Sequence, residues 1–318
     1  MIDGNRDKRG GHKLISLKSC SGIFIYGLRL QNAPNYTISF IDCEHIICDS
    51  CHLHNNLADG IDLDNSRFVR ISNCYIDSHD DAICLKSSPA LGCDSKTSHI
   101  TINNCNIASE TNCFKLGTET ACDVNDVVFS NSTIFRKPSS ELANSAISIQ
   151  TVDGARVSNF IIQGITIEEN SVICPMYIRL GSRCRKVGWE DADAKKWSQD
   201  GVKPPGKLEN IIINNVIVQY AKQPIIIEGI RDYWIENVQI NNFNGTFAPK
   251  DDEHSWPSEK DINSVVYIPD KYPSAKHHKP LPAWCLDSLC AGHRLFKLHI
   301  HPKRNKSQRP PNGLYCCP

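Results

Sequence analysis

One pattern recurs along the chain and limits what it can fold into: aliphatic, spacer, aliphatic, spacer, asparagine, two further residues, aliphatic. Val69–Ile76 aligns in this way with Ile100–Ile107 and Val127–Ile134, and later copies run over Phe160–Ile167, Ile211–Val218 and Tyr233–Ile240. Alternate side chains of a strand point to opposite faces, so a period of two rich in Val and Ile describes strands with one buried face; helical periodicity is essentially absent. Two more columns mark a second strand in each copy. One is Ile61, Ile83, Phe114, Ile147, Ile178, Ile225 and the other Leu63, Leu85, Leu116, Ile149, Leu180, Ile227, both read as inward facing. The shortest step, Ile61 to Ile83, is 22 residues, and a unit that small buries its apolar face only against its neighbours. The pattern predicts an all-β solenoid, a single-stranded right-handed parallel β-helix.

Asn73, Asn104, Asn131, Asn215 and Asn237 are expected to stack as a ladder at a turn, interrupted by Gly164, because asparagine tolerates turn geometry and its amide bonds the next rung. A sandwich or propeller would need hairpin turns such as Asn-Gly, which are scarce, and the leucine-rich-repeat signature is missing. The β-helix is expected over residues 1–244, lacking its N-terminal coils, with 245–318 an irregular cap or tail rich in Pro, His, Lys and Cys. Cys51, Cys74 and Cys105 fall in one column that continues as Ser132, so the 16 cysteines read first as stacked core and turn residues rather than as disulfides. In the tail, Cys285, Cys290, His293, His299, His301, Cys316 and Cys317 match no standard zinc spacing. The sequons at Asn35, Asn131, Asn244 and Asn305 carry meaning only in a eukaryotic secretory setting.

Charge is balanced, 35 Lys and Arg against 35 Asp and Glu, so no global field attracts nucleic acid or an anionic membrane. No apolar run is long enough to span a bilayer, and Met1-Ile-Asp-Gly-Asn-Arg is not a signal peptide. Function therefore rests on local sites. Setting the rungs in register stacks Asp59, Asp81 and Asn112 in one column with Asp80 beside it. Parallel strands lie roughly 4.8 Å apart, so these carboxylates repel and raise one another's pKa. Paired carboxylates with separated pKa values suit glycoside hydrolysis, one donating a proton and another activating water; Asp-rich turns also hold calcium or are merely solvated. The outward columns read Asp62, Cys84, Lys115, Ser148, Arg179, Ile226 and Asp64, Lys86, Gly117, Gln150, Gly181, Glu228. Lys86, Lys115, Arg179 and the nearby Arg183 then form a cationic face around the acids, which suits an acidic sugar polymer, although Lys and Arg are also the commonest solvated residues. Asn112 and Asp62 complete the expected substrate contacts, and no metal or cofactor is expected.

Asn56-Leu57-Ala58-Asp59-Gly60-Ile61-Asp62 resembles the Asn-Thr-Asp-Gly segment of glycoside hydrolase family 28, the polygalacturonase family. His79-Asp80-Asp81-Ala82-Ile83-Cys84-Leu85-Lys86 resembles its Gly-Asp-Asp segment at fitting spacing. The similarity extends over roughly residues 2–243 and implies an inverting hydrolase of pectin-like polymers, secreted or periplasmic; a monomer is expected. Asp80 would be the general acid, with Asp59 and Asp81 holding and deprotonating the attacking water. The family's Gly-His-Gly falls at Thr111-Asn112-Cys113 and its Arg-Ile-Lys at Ser148-Ile149-Gln150, so its histidine and both substrate-gripping cations are replaced. Two other functions stay open. A non-catalytic carbohydrate-binding β-helix would bind without releasing sugar, and a calcium-dependent lyase, using an arginine base, would leave an unsaturated product. Trp189 and Trp197 stand in a loop that either stacks on sugar rings or pins itself to the coil.

Overall fold

The computed structural model describes residues 1–5, 7–88, 95–138, 140–183, 204–229 and 233–248, and the backbone of strands Leu286–Ser288, Cys290–Ala291 and Leu298–Pro302. The loop with Trp189 and Trp197 and the side chains of the Cys- and His-bearing tail lie outside the described residues. Among the described residues there is no helix, and strands pair with strands one coil away, in parallel. The chain is a right-handed parallel β-helix, as the two-residue period requires. One nine-stranded sheet climbs in sequence order from Ile15–Lys18 to Leu286–Ser288. The other two faces belong to a 15-stranded sheet, because from Val124–Ile134 onward a single strand runs through the corner between them.

The corner is made by left-handed residues. Asn73, Asn104, Asn131 and Asn215 have φ of 57°, 54°, 50° and 54°, and Gly164 continues the column at 65°. These are values that asparagine and glycine adopt at least cost. Rung-to-rung amides then bond as expected, Asn104 Nδ2 donating to Asn73 Oδ1 at 2.6 Å. Asn237 is not in this ladder. Asn242 pairs with Asn215, while Asn237 donates to Asn210 in a second ladder that continues through Asn159 to Asp126. The last copy of the repeat therefore runs from Val238, which lies over Ile211, not from Tyr233. Its two corners both carry asparagine, and either one satisfies the sequence pattern.

Cys51, Cys74 and Cys105 do form one column with Ser132. Each donates to the carbonyl two residues back, at 3.4, 3.1, 3.2 and 2.8 Å respectively, closing the corner with a thiol or hydroxyl that costs little room. Inside, the columns beginning at Ile61 and Leu63 hold through Phe114, Ile147 and Leu116, Ile149. They then depart from expectation: Met176 lies over Ile147, Ile178 over Ile149, and Ile227 over Ile178. A slip of two leaves every side chain on its proper face, so alternation alone does not detect it, and the flexible thioether of Met176 fills an aliphatic place. Its consequence is outside the coil. Arg179 stands in the column of Gln150 and Glu228, and Tyr177 takes its place over Ser148.

Candidate active site

The acids sit where chain enters the nine-stranded sheet. Gly60 makes room: a Cβ there would meet Ala82 O at 2.4 Å and the Ile76 side chain at 2.8 Å. The backbone consequently drops close to the next rung, with Gly60 N bonding Asp81 O at 2.9 Å and Ala82 N bonding Asn112 O at 2.9 Å. That register stacks Asp59, Asp81 and Asn112. Oxygens of Asp59, Asp80 and Asp81 lie within 4.8 Å of one another. Asn56 does not reach the acids; buried, it accepts from Ala33 N and donates to Asp77 O, locking the turn that presents Asp59.

Each of the three converging carboxylates faces a different cation, and one of these cations also serves Asp62. Lys86 Nζ reaches Asp59 Oδ2 and Asp62 Oδ2, both at 3.1 Å, and Tyr36 OH at 3.3 Å, lying over the Tyr36 ring at 4.6 Å. Lys115 Nζ is 2.9 Å from Asp81 Oδ2, while Asn112 Nδ2 donates to Asp81 Oδ1 at 2.7 Å and is itself oriented by Ser145 Oγ at 2.5 Å. Arg9 reaches across from the segment before the second strand to pair with Asp80. Thr111 Oγ1 and the Asp81 amide also donate to Asp80 Oδ1, at 3.0 and 3.1 Å, and Ser78 and Ser109 both bond its carbonyl at 2.7 Å.

These surroundings separate the acids electrically. Burial pushes the Asp59 carboxyl up to about 8; Lys86 opposes the shift and the charges of Asp81, Asp62 and Asp80 add to it. Asp62 is also raised by burial, against Lys86. Asp80 goes the other way: burial raises it, but the charge and hydrogen bond of Arg9, with Lys115 and Thr111, bring it below the ordinary carboxylate value. Burial works against the charges of Lys86 and Lys115, yet the acids they touch outweigh it and both are held firmly protonated.

Of the residues expected from sequence, Asp59, Asp80, Asp81, Asp62, Lys86, Lys115 and Asn112 therefore converge. Two do not join them. Arg179 pairs with Glu228 at 2.7 Å and bonds Tyr177 OH at 3.1 Å, further along the sheet. Arg183, with no exposed side-chain surface, is clamped by Asp153 and lies 3.5 Å from Glu119. Nor is the cationic face free for substrate, since Lys86 and Lys115 are spent on the acids. Arg9 and Tyr36 were not foreseen. The signal for Arg9 lies in the short basic, glycine-containing run Lys8-Arg9-Gly10-Gly11-His12-Lys13, but its 71-residue reach to Asp80 depends on coil geometry.

A parallel β-helix with a cation-matched triad of carboxylates on one sheet defines the class. Within it, the model of the glycosyl hydrolases family 28 matches residues 2–134, and the chain is family-28-like over that stretch. No curated protein matches. Among solved structures, the family 28 exopolygalacturonase of Yersinia enterocolitica is similar at 15% identity and TM-score 0.55, over 72% of this chain and 40% of that one. A hyperthermoactive exopolygalacturonase from Thermotoga maritima is similar at 16% identity and TM-score 0.52, over 72% of this chain and 48% of that one. The chain thus spans less than half of each enzyme's length, and at these identities the likeness is one of fold.

Proposed function

We propose that the chain is a glycoside hydrolase of pectin-like or other acidic polysaccharides, working by the carboxylate mechanism that its family resemblance implies. The observation that carries this reading is the convergence of Asp59, Asp80 and Asp81, with carboxylate oxygens within 4.8 Å of one another. The family resemblance makes Asp80 the general acid, and at 22% side-chain exposure it is the most accessible of the three. Asp59 and Asp81 hold the attacking water, with Asn112 fixing the Asp81 carboxylate where the family carries histidine. Inversion rests on the resemblance; the carboxylates stand closer than the roughly 6.5–9.5 Å usual for inverting sites, so the anomer of the first product decides the stereochemistry. The same resemblance supports a secreted or periplasmic enzyme. The calcium-lyase reading loses ground because the carboxylate oxygens already face Lys86, Lys115 and Arg9.

The test is reducing-sugar release from polygalacturonate, rhamnogalacturonan and neutral polysaccharides by wild type and Asp80→Asn. Release from one polymer by wild type, reduced at least about 100-fold in the variant, supports the hydrolase. Binding without release would make the chain a carbohydrate-binding β-helix, and a product absorbing in the ultraviolet would make it a lyase.

A further inference from the structure

A general acid must carry a proton before it can give one, yet Asp80 is held as a carboxylate by Arg9. The cations that touch the three acids differ in how they are held. Lys86 and Lys115 have 12% and 13% of their side-chain surface exposed, and moving either would strand a buried acid. Arg9 is 61% exposed and contacts only the most accessible acid. Its backbone is anchored while its side chain is not: Gly10 N bonds Pro34 O at 2.8 Å and Asn35 Nδ2 bonds Gly11 O at 2.9 Å. Gly10 and Gly11, at φ 117° and 100°, supply a bend that other residues rarely adopt. An exposed ion pair is weak and exchanges partners readily. A sugar carboxylate arriving over Asp80 can therefore recruit Arg9 at little cost, whereas it can recruit Lys86 or Lys115 only by uncovering Asp59, Asp62 or Asp81.

Building on the hydrolase reading, we propose that Arg9 is the residue that reads substrate charge: it leaves Asp80 for the carboxylate of an acidic sugar, and Asp80 takes up a proton from solvent as it goes. The balance is one anion and one proton bound, with no bond made or broken. Once Arg9 has left, burial raises the Asp80 carboxyl and Lys115 lowers it; the carboxyls of Asp59, itself raised to about 8, and of Asp81 stand beside it, and the His79–Glu110 pair, at 2.8 Å, stands on the flanking turns. A neutral sugar offers Arg9 no partner and leaves the acid without its proton. Discrimination between charged and neutral polymers thus comes from arming the acid as well as from binding.

The experiment is calorimetric titration of trigalacturonate and of its methyl ester at pH 5, in two buffers of different ionisation enthalpy, beside the reducing-sugar assay. Turnover is blocked by Asp81→Asn, or by Asp59→Asn should the first variant fold poorly, and each background is tested with Arg9, Arg9→Gln and Arg9→Lys. With Arg9, the acid should bind at least about tenfold more tightly than the ester and take up close to one proton. Arg9→Gln should abolish the preference and the uptake, Arg9→Lys should restore most of both, and in the active enzyme Arg9→Gln should raise KM for the acid and extend activity to higher pH. Unchanged preference and proton uptake in Arg9→Gln, with wild type releasing sugar, would overturn the inference and leave the hydrolase standing. Arg9-dependent binding with no sugar release would instead overturn the hydrolase reading and support the Arg9 exchange as recognition. Absence of both binding and release overturns both.

Discussion

Replacing Lys86 by methionine should cost stability in a manner that depends on pH. Lys86 Nζ is 3.1 Å from Asp59 and 3.1 Å from Asp62, and its side chain is only 12% exposed. At an effective dielectric near 20, each contact is worth about 5 kcal/mol before desolvation is subtracted. Removing one partner of a buried pair costs about 3–5 kcal/mol net, because the charge left behind has no compensation. Methionine keeps most of the stem packed, so the loss is mainly electrostatic. About 4 kcal/mol at pH 8 corresponds to roughly 10 °C in Tm. The sign with pH follows from the acids. Asp59 and Asp62 have pKa values raised in the folded state, so the native chain binds more protons than the unfolded one above the ordinary carboxylate pKa, and stability falls as pH rises toward about 8. Without Lys86 both shifts grow, and protonation at lower pH relieves the stranded charges. Urea denaturation followed by circular dichroism at pH 8 and pH 5 should therefore show a wild-type-to-variant gap that narrows by half or more at pH 5. An equal gap at both values, or one under about 1 kcal/mol at pH 8, would refute the claim that Lys86 compensates buried carboxylates.

Three other perturbations probe different supports. Gly164→Ala puts a Cβ 2.6 Å from Asn131 Oδ1 on a residue at φ 65°, so urea titration should show a loss of about 1–2 kcal/mol at that corner. Asp153→Asn leaves the fully buried Arg183 without its main counter-charge, and thermal melting should report about 3 kcal/mol lost, with the fold of the surviving population intact. Asp77 is raised by burial but more strongly lowered by Lys137, the Asn55 amide and His54, so its contribution is present above pH 3.8 and is lost as pH falls through its lower native pKa. Asp77→Asn should flatten stability against pH in that acid window.

How much of the architecture could be read in advance depended on what each pattern distinguishes. Alternation separates inside from outside, and it placed Ile61, Leu63, Phe114 and the acid column correctly. It does not separate a register from one displaced by two, which is why Arg179 was expected in the column that Tyr177 occupies. Asparagine marks a left-handed corner but not which of two corners, hence the misplacement of Asn237. The site's acids were visible as a motif. Their cations were only partly so, since the sequence shows that Lys86 and Lys115 face the groove but not that they are already spent. Arg9 could not be assigned at all, as its partner is three rungs away and no local period connects them.

Setting cations directly against the acids of the groove also shapes how a polymer arrives. Opposite charges only about 3 Å apart cancel within a few ångströms, and the chain as a whole carries as many cations as anions. The groove accordingly projects little field into solution. Encounter with a polyanion should proceed at an ordinary diffusive rate that is nearly indifferent to ionic strength, leaving selection to the residence time after contact.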